Sequence, residues 1–221
     1  MPVPSPHGQP ETPRDWFATA PGRALLDSEG DSVRAALHER PGQPWLWLSP
    51  AMGQDRVDDI APGPGLHLQA SADGWGGSVR CNLPLPLASE SVAVVVVQHT
   101  GCTSVRRDAL VRECARVLLP GGRLTLFCLN PLSPWRWRWG ASGLGASEPM
   151  PWRRQLRAAG LVPEPVSLGL GPRWGVLPDA GLQQGPGLRA AWRLQADKRT
   201  LPLTPVRHRA RLRIGGGVPA A

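Results

Sequence analysis

Leu83-Pro84-Leu85-Pro86-Leu87-Ala88-Ser89-Glu90-Ser91 runs into Val92-Ala93-Val94-Val95-Val96-Val97, then into a segment of helical spacing that ends at Leu119. Pro120-Gly121-Gly122 and a second apolar run from Arg123 to Cys128 follow. The valine run is β-branched and only six residues long, which suits a parallel strand buried on both faces better than a helix. Two parallel strands need a long crossover between them, and such crossovers are right-handed and usually helical. The stretch therefore reads as one βαβ half of a layered α/β domain.

The crossover can be followed residue by residue. Ala109, Leu110, Glu113, Val117 and Leu118 recur at helical spacing, while Arg106, Arg107, Arg112 and Arg116 occupy the opposite face. Proline cannot continue a helix and glycine supplies the positive φ of a C-terminal cap, so Pro120-Gly121-Gly122 is expected to stop it.

A length of 221 residues predicts a single domain. The formal charge of +8 would ordinarily raise nucleic acid or anionic membrane as partners. Of the 25 basic residues only Lys198 is a lysine, however, and 26 Pro, 26 Gly, ten Trp and no Tyr accompany them, a profile equally expected of a GC-rich coding sequence. Nucleic acid is accordingly a partner the composition permits without favouring. Cys81, Cys102, Cys114 and Cys128 form no Cys-x-x-Cys pair and no zinc spacing with histidine, so no metal is expected and a reducing, cytoplasmic setting is the simplest one. No apolar run approaches the roughly 18 residues of a spanning helix, and no membrane association is expected.

Outward from the βαβ half, residues 1–13 carry five prolines and little to bury, which predicts disorder. Residues 14–197 are expected to form the domain and 198–221 a basic flexible tail. Trp16 and Phe17 begin an apolar pattern, Ala24 to Arg40 reads as a helix stopped by Pro41-Gly42, and Trp45 to Leu48 as a short buried strand. Leu66 to Gln69 and Val79 to Cys81 are weaker strand candidates. Beyond Pro131 a Trp- and Arg-rich segment reads as a loop or broken helix, Trp152 to Ala159 as a helix, and Val162 to Leu168 and Gly187 to Ala196 as the last two strands.

The Leu-Pro-Leu-Ala-Ser-Glu-Ser-Val run, together with Arg112-Glu113-Cys114-Ala115-Arg116-Val117-Leu118-Leu119-Pro120-Gly121-Gly122, resembles the second half of class I S-adenosylmethionine-dependent methyltransferases of the type 11 kind. Asn130-Pro131-Leu132-Ser133 and Lys198-Arg199-Thr200-Leu201-Pro202-Leu203-Thr204 resemble a smaller, YafS-like bacterial branch. The resemblance covers roughly Trp16 to Thr204. It implies a Rossmann-like, seven-stranded, mostly parallel sheet flanked by helices, with the final strand inserted antiparallel. It also implies methyl transfer from S-adenosylmethionine to an acceptor that the sequence does not identify.

In such a sheet the ligand lies beyond the carboxyl ends of the strands, at the switch point of strand order. The cofactor-binding positions implied are Ser49, Ala51 and Gly53 after the first strand, Gln69 after the second, Asn82 and Leu83, and Gln98 with His99 after the valine strand. The chain departs from the family pattern in three places. Ser49-Pro50-Ala51-Met52-Gly53 replaces the glycine-rich turn, Gln69-Ala70 stands where the acid that takes the ribose hydroxyls belongs, and Ala93 replaces an Asp. Asn82 stands where an Asp is common and can still accept from and donate to adenine. A hydrogen bond to a charged group contributes about 1.5–3 kcal/mol, so loss of the ribose carboxylate weakens cofactor binding by roughly tenfold to a hundredfold, and steric loss at the turn would weaken or abolish it.

His99 is the nominal general base, being the one titratable group at a strand's carboxyl end. A scaffold histidine bonded within the turn is the favoured reading, because methyl transfer often needs only in-line positioning. Trp135-Arg136-Trp137-Arg138-Trp139 reads as an edge segment with tryptophans packed inward and arginines solvated, or else as a surface on which bases stack or a lid over a substrate. The alternative to an enzyme is a catalytically inactive fold that binds a protein or RNA through that segment and the basic tail around Arg207, Arg209, Arg211 and Arg213.

Overall fold

The structure is a computed structural model that describes residues 13–50, 63–71, 74–100, 104–139 and 144–199. The turn residues Ala51 and Gly53 lie outside the described residues, as do most of the disordered stretch expected over 1–13 and of the flexible tail expected over 198–221. Where those two stretches are described they depart from expectation, Pro13 starting a helix and Lys198 closing the last strand, paired with Leu161. The described residues begin with two helices, α1 (Pro13–Ala18) and α2 (Ala20–His38), so the helix expected from Ala24 begins a turn earlier. Thr19 separates them and accepts a hydrogen bond from the Gly22 N–H, as an N-cap residue does.

The strands β1 (Trp45–Ser49), β2 (Gly65–Ser71), β3 (Gly74–Gly77) and β4 (Val92–Gln98) come next. Then follow α3 (Ser104–Val117), β5 (Leu118–Leu129), the single turn α4 (Arg136–Trp139) and α5 (Pro149–Ala158). The short strands β6 (Leu161–Pro163), β7 (Leu168–Leu170) and β8 (Gln183–Gln184) lead to β9 (Ala191–Lys198). All lie in one sheet of order β3-β2-β1-β4-β5-β9-β7-β8, with β6 also on β9. The strands β2, β1, β4 and β5 are parallel, and β9 is inserted antiparallel beside β5, as expected.

The valine strand is buried at all seven positions, and its alternation divides the interior into two layers. Val95 and Val97 join Leu46, Leu48, Leu124 and Leu126 beneath α3 and α5, where Leu110, Val111, Trp152 and Leu156 pack. Val94 and Val96 face the other way, with Trp45, Trp47 and Phe127, beneath Trp16, Phe17, Leu25, Val33 and Leu37 of α1 and α2. Each such side chain stabilises by about 1.5–3 kcal/mol relative to exposure.

The Leu83 to Ser91 loop is tied to α3 by the motif that follows it. Glu113 Oε1 accepts from the Leu85 N–H at 2.7 Å, and Arg116 grips the same carboxylate at 2.6 and 3.0 Å while donating to the Leu85 carbonyl and Ser89 Oγ. Burial of Glu113 is a consequence of these bonds. Arg107 departs from its expected solvated face: it is buried, with its guanidinium 4.9 Å from the centre of the Trp152 ring. The Glu90 and Ser91 N–H groups donate to the Arg116 and Val117 carbonyls at 2.9 and 2.8 Å, satisfying the end of α3 from outside the helix.

Several strand expectations need correction. Val79 to Cys81 is not a strand; β3 is Gly74–Gly77, antiparallel to β2, and Cys81 meets it only through a bridge to Trp75. Two residues separate Ser71 from Gly74, too few for a parallel crossover, so the chain turns straight back. Helix α3 ends at Val117, and Pro120-Gly121-Gly122 lies inside β5 as a bulge, the register passing from Val92↔Leu118 to Val94↔Arg123. Val162 to Leu168 is two strands: Pro163 still pairs with Ala196 and the Glu164 N–H donates to the Gln195 carbonyl, and the break comes at Pro165, which has no N–H to donate. The last strand starts at Ala191 rather than Gly187; with the short β6 and β8 the described residues form nine strands, roughly consistent with the seven-stranded, mostly parallel sheet expected.

Candidate functional site

Between β1 and β4 the chain's progress through the sheet reverses: β2 lies outside β1 and β5 outside β4. In sheets of this kind such a switch point is where a ligand takes its place, beyond the carboxyl edge. Ser49 closes β1 opposite Gln69 of β2, and Gln98 closes β4 opposite Phe127 of β5. Ser49, Gln69 and Gln98 are thereby brought to one edge, as the sequence predicts.

Gln98 and His99 share a partner that sequence reading missed. Glu29 Oε2 accepts from Gln98 Nε2 at 2.6 Å, and His99 Nε2 lies 2.8 Å from Glu29 Oε1. Glu29 is fully buried on α2. Its spacing of four from both Leu25 and Val33 puts it on the apolar face of an amphipathic helix, and that was the available signal. His99 takes a left-handed backbone, φ +50, with its N–H donating to the Phe127 carbonyl at 2.9 Å and its ring stacked on Phe17. One nitrogen of this imidazole is thus committed to holding the β4 turn against α2.

A second chain of contacts runs outward from Gln98. Trp47 Nε1 donates to Gln98 Oε1 at 3.3 Å, the Trp47 indole stacks on His67 at 4.1 Å, and His67 Nε2 lies 2.8 Å from Ser49 Oγ. Burial pushes the His67 imidazole down to about 4, so it is neutral at pH 7. Sequence analysis did not single out His67.

Toward β3 the edge opens to solvent. Gln69 is half-buried, Asn82 exposed and Leu83 half-buried. Gly74 has φ +139, and a Cβ there would come within 1.8 Å of Asn82 Oδ1, so glycine is what lets the Asn82 amide sit against the start of β3. The donor and acceptor groups left for a ligand on this side are carboxamides, which suit ribose hydroxyls and an adenine edge. Pro50 is buried immediately after β1; Ala51 and Gly53 lie outside the described residues.

At the far end of the edge, Asn130 follows β5. Its Nδ2 donates to the Gly187 and Arg189 carbonyls at 2.9 and 2.8 Å, and its Oδ1 accepts from the Leu132 N–H. The Asn-Pro-Leu-Ser block is therefore a brace between β5 and the approach to β9. Of the tryptophans it carries forward, Trp135 and Trp139 are buried as expected, whereas Trp137 is 77% exposed. Among the described residues, no three of His, Cys, Asp and Glu converge as a metal site, and no helix is long and apolar enough to cross a membrane.

Residues 59–126 match the family model of a methyltransferase domain. No curated protein matches the sequence. Among solved structures, the chain is similar to an S-adenosylmethionine-dependent methyltransferase from Thermotoga maritima, with a TM-score of 0.56 and 17% identity over 83% of this chain and 93% of that one. It is also similar to one from Mesorhizobium loti, with a TM-score of 0.53 and 15% identity over 77% and 97%. A geranyl diphosphate methyltransferase in complex with S-adenosylmethionine gives 0.51 and 15% over 89% and 92%. The chain thus carries the Rossmann-like fold of S-adenosylmethionine-dependent methyltransferases, and its methyltransferase-domain match runs from the approach to β2 into β5.

Proposed function

We propose that this chain transfers a methyl group from S-adenosylmethionine to an acceptor at the carboxyl edge of the sheet. The observation that carries the reading is the switch point between Ser49 and Gln98, set in a fold shared with enzymes of that chemistry. The bound cofactor would supply an electrophilic methyl group on a sulfonium. For its binding, the Gln69 carboxamide would meet the ribose hydroxyls and Asn82 the adenine edge, while Ser49 and Leu83 would border the adenosyl group. Glu29, Gln98 and His99 hold the floor of the crevice by fixing the β4 turn. His99 Nε2 already faces Glu29, so the acceptor is one that needs alignment more than deprotonation by this imidazole.

Replacement of the ribose carboxylate by Gln69 goes with affinity lower by roughly tenfold to a hundredfold than a charged acceptor would give. Assignment to the YafS-like branch rests on the Asn130-Pro131-Leu132-Ser133 and Lys198 to Thr204 sequence blocks. The comparisons lend no support to the inactive-fold alternative.

Thermal unfolding with S-adenosylmethionine or its demethylated product tests the proposal. Ligand at 100 times its dissociation constant stabilises by about 2.7 kcal/mol, which for a domain of this size raises Tm by roughly 5–10 °C. An unchanged Tm at millimolar ligand together with flat calorimetry overturns it.

A further inference from the structure

Two segments rich in Trp and Arg meet at the carboxyl edge of the sheet. Helix α4 follows the carboxyl end of β5. The loop that begins at Gly171 follows β7, which is antiparallel to β9 and so parallel to β5, and it leaves from the same edge. Trp135 and Trp174 lie 5.5 Å apart across the two segments, and Arg138 stands 5.2 Å from one ring and 5.8 Å from the other. Arg136 lies 4.6 Å from the Trp137 ring. Trp137 is 77% and Trp174 67% exposed, large apolar surfaces that folding leaves in water.

Charge selects the occupant. Arg136, Arg138 and Arg173 are all exposed and, among the described residues, none forms an ion pair with a carboxylate. A second copy of a chain with formal charge +8 would bring more positive charge to this face, not less. Guanidinium groups alternating with open indole faces match a ligand that alternates phosphates with flat rings: phosphate meets Arg, and any base can stack on Trp. We propose that α4 and the post-β7 loop form a docking surface for single-stranded nucleic acid. The surface stands on its own geometry and does not depend on methyl transfer.

The test is fluorescence anisotropy of the full chain with a labelled dodecauridylate. Trp137→Ala and Trp174→Ala are each expected to weaken binding roughly 5- to 100-fold, the range for losing one stacked base, with circular dichroism and Tm showing both variants folded. Arg138→Gln should lower the slope of log K against log salt by about 0.7, one phosphate contact on a single strand. An oligoglutamate of equal charge should displace the probe poorly. The proposal is overturned if both tryptophan variants bind as the parent does, if oligoglutamate competes as well as unlabelled dodecauridylate, or if the chain shows no binding at low salt. It is equally overturned if affinity vanishes only when Arg207, Arg209, Arg211 and Arg213 are replaced by glutamine.

Discussion

His99 Nε2 and Glu29 Oε1 lie 2.8 Å apart, and neither side chain reaches solvent. Through this contact, and through Gln98 Nε2 on the other carboxylate oxygen, the second helix of the chain holds the turn at the end of the central strand. Glu29 is therefore one support of the floor of the candidate crevice, beside the His99 N–H on the Phe127 carbonyl and the Trp47 indole on Gln98. Replacing Glu29 with alanine leaves the Gln98 amide and the His99 ring buried without their acceptor. A loss of about 3 kcal/mol is expected, seen as a lower urea midpoint with unchanged m-value. Glu29→Gln, which keeps one acceptor oxygen, should cost less. A loss below about 1 kcal/mol for the alanine variant would show that the contact is not a support.

Acid sensitivity should trace in part to Glu113. The Arg116 hydrogen bond, helped by the Leu85 N–H, holds its carboxyl below the ordinary 4.5 against the opposing effect of burial. A depressed carboxylate contributes stability that is complete above its ordinary pKa and lost as pH falls through the lower, folded-state value. Glu113→Gln is therefore expected to lower stability at pH 7 by about 1.5–3 kcal/mol and to flatten the decline below pH 4.5. Equal acid slopes in the two proteins would contradict this.

His67 acts at higher pH. Its imidazole stays neutral down to about 4 in the folded protein, whereas in the unfolded chain it takes up a proton near 6.5. The unfolded state consequently binds more protons between those values, and stability, complete above pH 6.5, declines on acidification and levels off near pH 4. For one proton, at about 1.4 kcal/mol for each pH unit between those values, the total is about 3 kcal/mol. Denaturant titrations of His67→Gln should lack that slope. Retention of the full slope would place its origin elsewhere.

Gly74→Ala tests the placement of Asn82. The added Cβ would lie 1.8 Å from Asn82 Oδ1 and 2.6 Å from the Cys81 carbonyl, at a φ that side chains avoid. Destabilisation by about 1–3 kcal/mol is expected, and in binding calorimetry the variant should lose S-adenosylmethionine affinity along with it. Unaltered stability would mean that the β2–β3 hairpin yields easily.

Gln69→Ala and Asn82→Ala address the ligand directly. Each removes neutral hydrogen bonds contributing about 0.5–1.5 kcal/mol, or roughly two- to tenfold in Kd for S-adenosylmethionine. Gln69→Glu should tighten binding by restoring a charged acceptor for the ribose. Calorimetric Kd values in the order Glu, Gln, Ala at position 69 are expected; no dependence on that residue would remove it from the site.

The local pattern of the chain was enough to determine the βαβ half. Six consecutive β-branched or small apolar residues, a helix with one apolar stripe and a proline-glycine stop each restrict the backbone over a few residues, and those restrictions agree. Even there the Pro120 to Gly122 stop became a bulge in β5, because pairing with β4 uses backbone groups that a free turn would leave to water. Val79-Arg80-Cys81 alternates as a short strand would, but the two residues between Ser71 and Gly74 leave β3 only an antiparallel pairing with β2.

What only the tertiary structure decided is how polar groups meet across long separations. Glu29 and His99 are 70 residues apart, and Trp47 and Gln98 are 51. Asn130 and Arg189 are 59 apart. Helical period and strand alternation are properties of neighbours along the chain, so they show which face Glu29 occupies but not what stands opposite. A buried carboxylate tolerates burial only where donors are brought to it, and that pairing exists only once α2 lies across the end of β4.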